Sequence, residues 1–161
     1  MEKQKAYITS GGAKKLRQEL DTLWRNTRRE VTQQVSEAAA LGDRSENADY
    51  IYGKKRLREI DKRIRYLSKR LENITIVEEL PKDQSTIYFG AWVKIEKQDG
   101  EVESLRIVGS DEIEPDLRWI SINSPMAKAL IGKKKGSTVT VNTPEGEIEA
   151  IIHSVEYRKE L

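Results

Sequence analysis

The chain of 161 residues is 37% hydrophobic and 35% charged, with a mean hydropathy of -0.70 and a net charge of only +2. That balance excludes one large apolar core and leaves no apolar run long enough to span a bilayer. With no Cys, disulfides, thiolate metal sites and Cys nucleophiles are excluded as well. The charge is unevenly divided. Residues 1–80 hold 18 basic and 13 acidic side chains, and residues 81–161 hold 11 and 14, which suits two different partners. The N-terminus carries no apolar signal core, so a cytoplasmic protein with no membrane association is expected.

A first helix is predicted to start after Thr9 or Ser10, either of which suits a cap. Leu16, Leu20, Leu23, Val31, Val35 and Ala38 follow at mostly three- and four-residue steps, with Thr27 in one apolar slot. A second helix carries Leu57, Ile60, Ile64, Leu67, Leu71 and Ile74 at alternating steps of three and four, a heptad seam with Gly53 as a weak point near its start. No Pro interrupts either helix before Pro81. Neither stripe can be buried alone, so the break at 41–46 predicts an antiparallel hairpin over residues 1–78. About 30 residues per arm give a rod of roughly 45 Å.

Residues 79–86 read as a linker, after which the period changes. Strands are predicted at Ile87–Lys97, Val102–Val108 and Trp119–Ile122, with a turn at Gln98-Asp99-Gly100. Ser124 as N-cap and Pro125 at the first helical position open a short helix that Gly132 ends. A last hairpin joins Thr138–Val141 to Glu147–Val155. The fold class is therefore α+β: an N-terminal coiled-coil hairpin and, over residues 87–161, a small sheet with one short helix. Tyr88, Phe89, Trp92, Trp119 and Tyr157 are expected in its core. His153, the one histidine, is expected to be paired or solvent-facing on its strand.

Asp43 and Glu46 stand at the hairpin turn, and their spacing fits two compatible readings. Asp43 caps the second helix, with Glu46 answering as in a capping box. Or the pair supplies oxygen ligands to a hard cation such as Mg²⁺, which two carboxylates alone hold poorly, so that a partner must complete the site. Asp49 is a third acid nearby. Ser45 and Asn47 suit turn-shaping side-chain bonds. Tyr50 and Tyr52 suit either packing at the tip or stacking on a base. Beyond the tip, Lys55, Arg58, Lys62, Arg65 and Lys69 fall on the outer helix face, with Lys54, Arg56, Arg63 and Arg70 flanking them.

The run Leu41-Gly42-Asp43-Arg44-Ser45-Glu46-Asn47-Ala48-Asp49-Tyr50, followed by Tyr52 and Lys54–Asp61, closely resembles the Gre transcript cleavage factors of bacteria, the GreB branch above all. The resemblance continues through Phe89-Gly90-Ala91-Trp92-Val93, Arg106-Ile107-Val108-Gly109 and Ser124-Pro125-Met126-Ala127. It implies a second domain similar in fold to FKBP-type prolyl isomerases, used for docking, since fold likeness carries no isomerase activity. It implies a transcription elongation factor, acting as a monomer, that enters the secondary channel of bacterial RNA polymerase. There Asp43 and Glu46 would hold a catalytic Mg²⁺ jointly with the polymerase, which itself cuts the 3′ segment of backtracked nascent RNA. The factor is then no independent enzyme. The resemblance further implies RNA contact by Lys54, Lys55, Arg56 and Arg58, and polymerase docking by Asn123, Ser124, Pro125 and Met126. Asn123 stands where Asp is expected. The alternative is an inhibitor of the same architecture that occludes the channel.

Overall fold

The computed structural model describes residues 6–159 and 161. Contacts divide the chain into two compact units, Ala13–Asn73 and a second that joins the segment ending at Gly12 to Ile74–Leu161.

The first unit is the helical hairpin. Helix α1 (Ser10–Thr22) begins where expected, with Thr9 Oγ1 accepting from the Gly12 amide at 3.0 Å. A π-helical turn, Leu23–Thr27, separates it from α2 (Arg28–Ala40). That turn explains the imperfect seam around Thr27. Leu23 and Val31 lie eight residues apart rather than seven. One widened turn absorbs the extra residue and returns Val31 and Ala38 to the partner-facing side, 1% and 6% exposed.

Helix α3 (Ala48–Asn73) buries Ile60 and Leu67 on its heptad seam and is about 39 Å long. The Glu19–Arg63 and Arg28–Asp61 ion pairs, each at 2.8 Å, mark the antiparallel register. Being substantially exposed, they add only about 0–1 kcal/mol each. Gly53 is a close approach rather than a weak point. A Cβ there would lie 2.7 Å from Val35 Cγ2, so the missing side chain lets α3 sit tightly against α2 near the turn.

The second unit takes in more of the N-terminus than the predicted 1–78 domain allows. Strand β1 (Tyr7–Thr9) pairs in parallel with β2 (Thr75–Val77). The Glu112 carboxylate accepts from the Thr9 amide and the Gly109 amide, both at 3.0 Å, and from the Thr9 hydroxyl. These bonds tie the first strand to the sheet unit, so the hairpin proper is 13–73 and residues 79–86 lie within the other unit.

The main sheet has the order β5-β4-β3-β7-β6, built from β3 (Trp92–Lys97), β4 (Val102–Val108), β5 (Trp119–Ser121), β6 (Thr138–Thr143) and β7 (Gly146–Glu156). Its pairs are antiparallel except β4–β5. Helix α4 (Pro125–Leu130) packs Ala127 and Leu130 into an aliphatic core with Val93, Ile95, Leu105 and Ile107.

Two expectations change here. Ile87–Ala91 is not strand, because Gly90 adopts φ +87° and the Ala91 amide turns back to the Tyr88 carbonyl. The aromatic residues do not build the core. Tyr88 is exposed, and Trp92 and Trp119 lie on strand positions alternate to the core-facing ones. Only Tyr157 packs against the core, its hydroxyl donating to the Thr86 carbonyl at 2.7 Å and accepting from the Tyr88 amide at 2.8 Å. His153 sits on β7 with Nε2 2.6 Å from Glu96 Oε2, partly exposed, as expected of a paired strand histidine. Among the described residues, no helix is long and apolar enough to cross a membrane.

Candidate functional site

The turn between α2 and α3 is organised by Asn47. Its Oδ1 accepts from the Tyr50 amide at 3.1 Å, the bond that caps α3. Its Nδ2 donates at 2.6 Å to the Ala38 carbonyl, which also accepts the Leu41 amide at 3.2 Å where α2 ends. One side chain therefore caps one helix and clamps it to the other. The capping reading of Asp43 with Glu46 is thereby corrected: α3 starts at Ala48, four residues too late for Asp43 to cap it.

Freed from capping, Asp43 forms a local turn with Ser45. Its Oδ1 accepts from the Ser45 amide at 2.9 Å and the Ser45 hydroxyl at 2.8 Å. The same Asp-x-Ser turn recurs at Asp83, where Ser85 fills Oδ1 and the Thr86 hydroxyl fills Oδ2 at 2.6 Å. At the hairpin tip the residue following Ser45 is Glu46, a carboxylate with no proton to donate at neutral pH. Asp43 Oδ2 thus receives neither Ser45 bond, and Glu46 beside it is exposed.

The backbone and side-chain bonds from Ser45 hold the Asp43 carboxyl below its ordinary value. Ser45→Ala is therefore expected to raise the Asp43 pKa, read by carboxyl-carbon NMR titration. The folded value is depressed, so the order Asp43 lends the loop is present above the ordinary carboxylate range and fades as pH falls through the folded value.

Two ionised oxygens on a solvent-facing turn have the right donor chemistry for a hard cation but too few ligands to hold it. Among the described residues, no group of three or more His, Cys, Asp or Glu could hold a metal ion.

The predicted RNA-contact residues Lys54, Lys55, Arg56 and Arg58 are all exposed on α3. So are Lys62, Arg65 and Lys69 on the outer face, whereas Arg63 is committed to Glu19. The two tip tyrosines differ. Tyr50 is half-buried, with the Arg44 and Lys54 cations 5.6 and 5.5 Å from its ring centre, so it serves packing. Tyr52 is 69% exposed and borders a groove with Leu41, Asp49 and Arg56.

In the sheet unit, Asn123 and Pro125 are exposed, Ser124 Oγ caps α4 by accepting from the Ala127 amide at 3.3 Å, and Met126 packs against the core. The Asn123 amide donates to Ser121 Oγ at 3.1 Å, which fixes the loop to the end of β5.

A helical hairpin that presents a pair of carboxylates at its turn, joined to a separate α+β sheet unit, defines the class of this protein. The family model described as transcription elongation factor, N-terminal, matches residues 6–76, and the GreA/GreB C-terminal model matches residues 81–157. The chain belongs to the GreA/GreB family of transcription elongation factors. It is 55% identical over 153 residues to the transcription elongation factor GreB of Haemophilus influenzae, covering 95% of this chain and 97% of that one. It is 57% identical over 150 residues to the GreB of Pseudomonas aeruginosa, covering 93% and 89%. Among solved structures it is similar to the GreA factor homolog 1 of Thermus thermophilus, with 27% identity, coverage of 95% and 99%, and a TM-score of 0.44.

Proposed function

We propose that this elongation factor enters the secondary channel of RNA polymerase and stimulates cleavage of the 3′ segment of backtracked RNA. The observation that carries the reading is the division of labour at the turn. Asn47 does the structural capping, and Asp43 and Glu46 are left as exposed carboxylates at the end of the hairpin, Asp43 held by Ser45 through Oδ1 alone. Their contribution is a half-site that polymerase completes, so the protein is not an enzyme on its own. A Mg²⁺ ion held jointly by these two residues and polymerase would supply Lewis-acid stabilisation for hydrolysis of the phosphodiester.

The chain's own residues do the rest. Ser45 holds the Asp43 carboxylate in place, and Asn47 sets the spacing of the turn. Tyr52 offers a face for an unstacked base. Lys54, Lys55, Arg56 and Arg58 draw in the phosphates behind it.

The test is an arrested elongation complex carrying end-labelled RNA. Adding the protein with Mg²⁺ should release a 3′ fragment and restore elongation. Blocked elongation without fragment release would establish the channel-occluding inhibitor instead. Charge reversal at Lys55 and Arg58 together should weaken action on backtracked complexes, with the half-maximal concentration rising more steeply with salt in the wild type than in the variant. Equal salt slopes would argue against phosphate contact, since each phosphate contact contributes about one unit of the slope.

A further inference from the structure

Four side chains from three strands and the segment after β7 meet around two indoles on the sheet face opposite the aliphatic core. Trp92 on β3 pairs across to Arg106 on β4, and Arg106 pairs across to Trp119 on β5. The Arg106 guanidinium lies 4.9 Å from the Trp92 ring centre and 4.8 Å from that of Trp119, and the two rings meet edge to face at 5.9 Å. The Arg158 guanidinium sits 3.6 Å over the same Trp92 ring.

Arg106 is only 6% exposed, yet among the described residues its one hydrogen bond is a long one from Nε to the Gly90 carbonyl at 3.5 Å. Neither arginine forms an ion pair among the described residues. The acid acting on Arg106, Glu112, has its carboxylate occupied by Thr9 and Gly109. Burial destabilises the Arg106 charge, and Arg158 adds repulsion that Glu112 opposes. Trp92 Nε1 is also enclosed with no acceptor, the one such side-chain atom among the described residues. The Arg106 guanidinium lies buried beside both rings, and Arg158 over Trp92 is the exposed cation of the group.

We propose that Arg106 and Arg158, held against Trp92 and Trp119, form a docking site for a carboxylate side chain on the protein surface that this factor binds. The proposal rests on the polymerase reading above. The exposed Arg158 guanidinium, held over Trp92, presents two parallel donors to a carboxylate and is already ordered, so little conformational freedom is lost on binding, while Arg106 adds its charge beneath. A protein carboxylate is favoured over RNA because residues 81–161 are the acidic part of the chain, with 14 acids against 11 bases. A polyanion would meet that repulsion along its length, while a single carboxylate meets the two local cations. Position agrees, since β5 carries Trp119 and leads directly into the loop at Asn123–Met126.

The test uses the full chain and core polymerase without nucleic acid, with affinity read by competition against labelled wild type. Arg158→Glu, at an exposed position, should weaken binding on the order of tenfold or more. Arg106→Lys, which keeps the charge but loses the fork, should weaken it also, with a melting curve to confirm folding. In the cleavage assay the loss should appear in the concentration needed for half-maximal cleavage rather than in the maximum. Unchanged affinity in a folded Arg158→Glu protein overturns the site. A loss seen only when RNA is present makes the ligand a phosphate and also overturns it. Failure of the wild type to bind polymerase at all would overturn the functional reading first and this one with it.

Discussion

Asp43→Asn and Glu46→Gln are each expected to lower stimulated RNA cleavage by at least about a hundredfold, the scale on which loss of one preorganised charge at a reacting centre is felt. Polymerase affinity and thermal stability should stay nearly unchanged. The structure separates these effects with unusual clarity for neighbouring residues. Asp43 is exposed and caps no helix, and its one structural task is to accept from Ser45 through Oδ1. An Asn at 43 keeps that acceptor and loses only the charge. Glu46 is exposed as well, so Glu46→Gln should fall within the usual surface range of about 0.5 kcal/mol. The measurement is cleavage of end-labelled RNA at saturating factor, alongside competition binding and a melting curve. A parallel fall in binding and cleavage would make the acids part of the docking surface and remove the half-site argument. Asp83 is the internal control. It forms the same Asp-x-Ser turn, and Thr86 fills its second oxygen, so Asp83 can serve structure alone.

The parts of this architecture that rest on local period are legible in the sequence. The heptad run from Leu57 to Ile74 announced α3, and Ser124-Pro125 announced α4 with its cap. Even the π-helical turn left a trace, as the eight-residue gap from Leu23 to Val31. What stayed hidden depends on residues far apart in the chain. The β1–β2 pair consists of two three-residue strands from either end of the hairpin, too short to show any period of their own. Its anchor, Glu112, lies 103 residues from Thr9. Trp92, Arg106, Trp119 and Arg158 come together only through strand register and the chain leaving β7. At the tip, both acids were visible, but the cap was misassigned. Asp and Asn are near-equal caps, and a choice between Asp43 and Asn47 requires knowing where α3 starts. That misassignment mattered, because it gave Asp43 a structural task that Asn47 performs.

Asn47 is thus the residue whose loss should most affect the site without touching its charge. Asn47→Ala removes the α3 cap, worth about 1 kcal/mol, and the bond to the Ala38 carbonyl, worth about another 1 kcal/mol. The ends of α2 and α3 are then held near the turn mainly by the close approach of Gly53 to Val35. A displacement of about 1 Å at the acids would cost on the order of a hundredfold in cleavage. Asn47→Asp divides the two roles. Its carboxylate still caps α3 and suits the positive helix end, so helix stability should return. It cannot donate, however, and would face the Ala38 carbonyl with a negative charge, so the clamp stays open. The expected result is melting intermediate between Asn47→Ala and wild type with cleavage as depressed as in Asn47→Ala, while competition binding to polymerase is unchanged in both variants. Wild-type cleavage by Asn47→Asp would show that capping alone positions the acids. Cleavage that tracks melting temperature across both variants would reduce Asn47 to a stability residue.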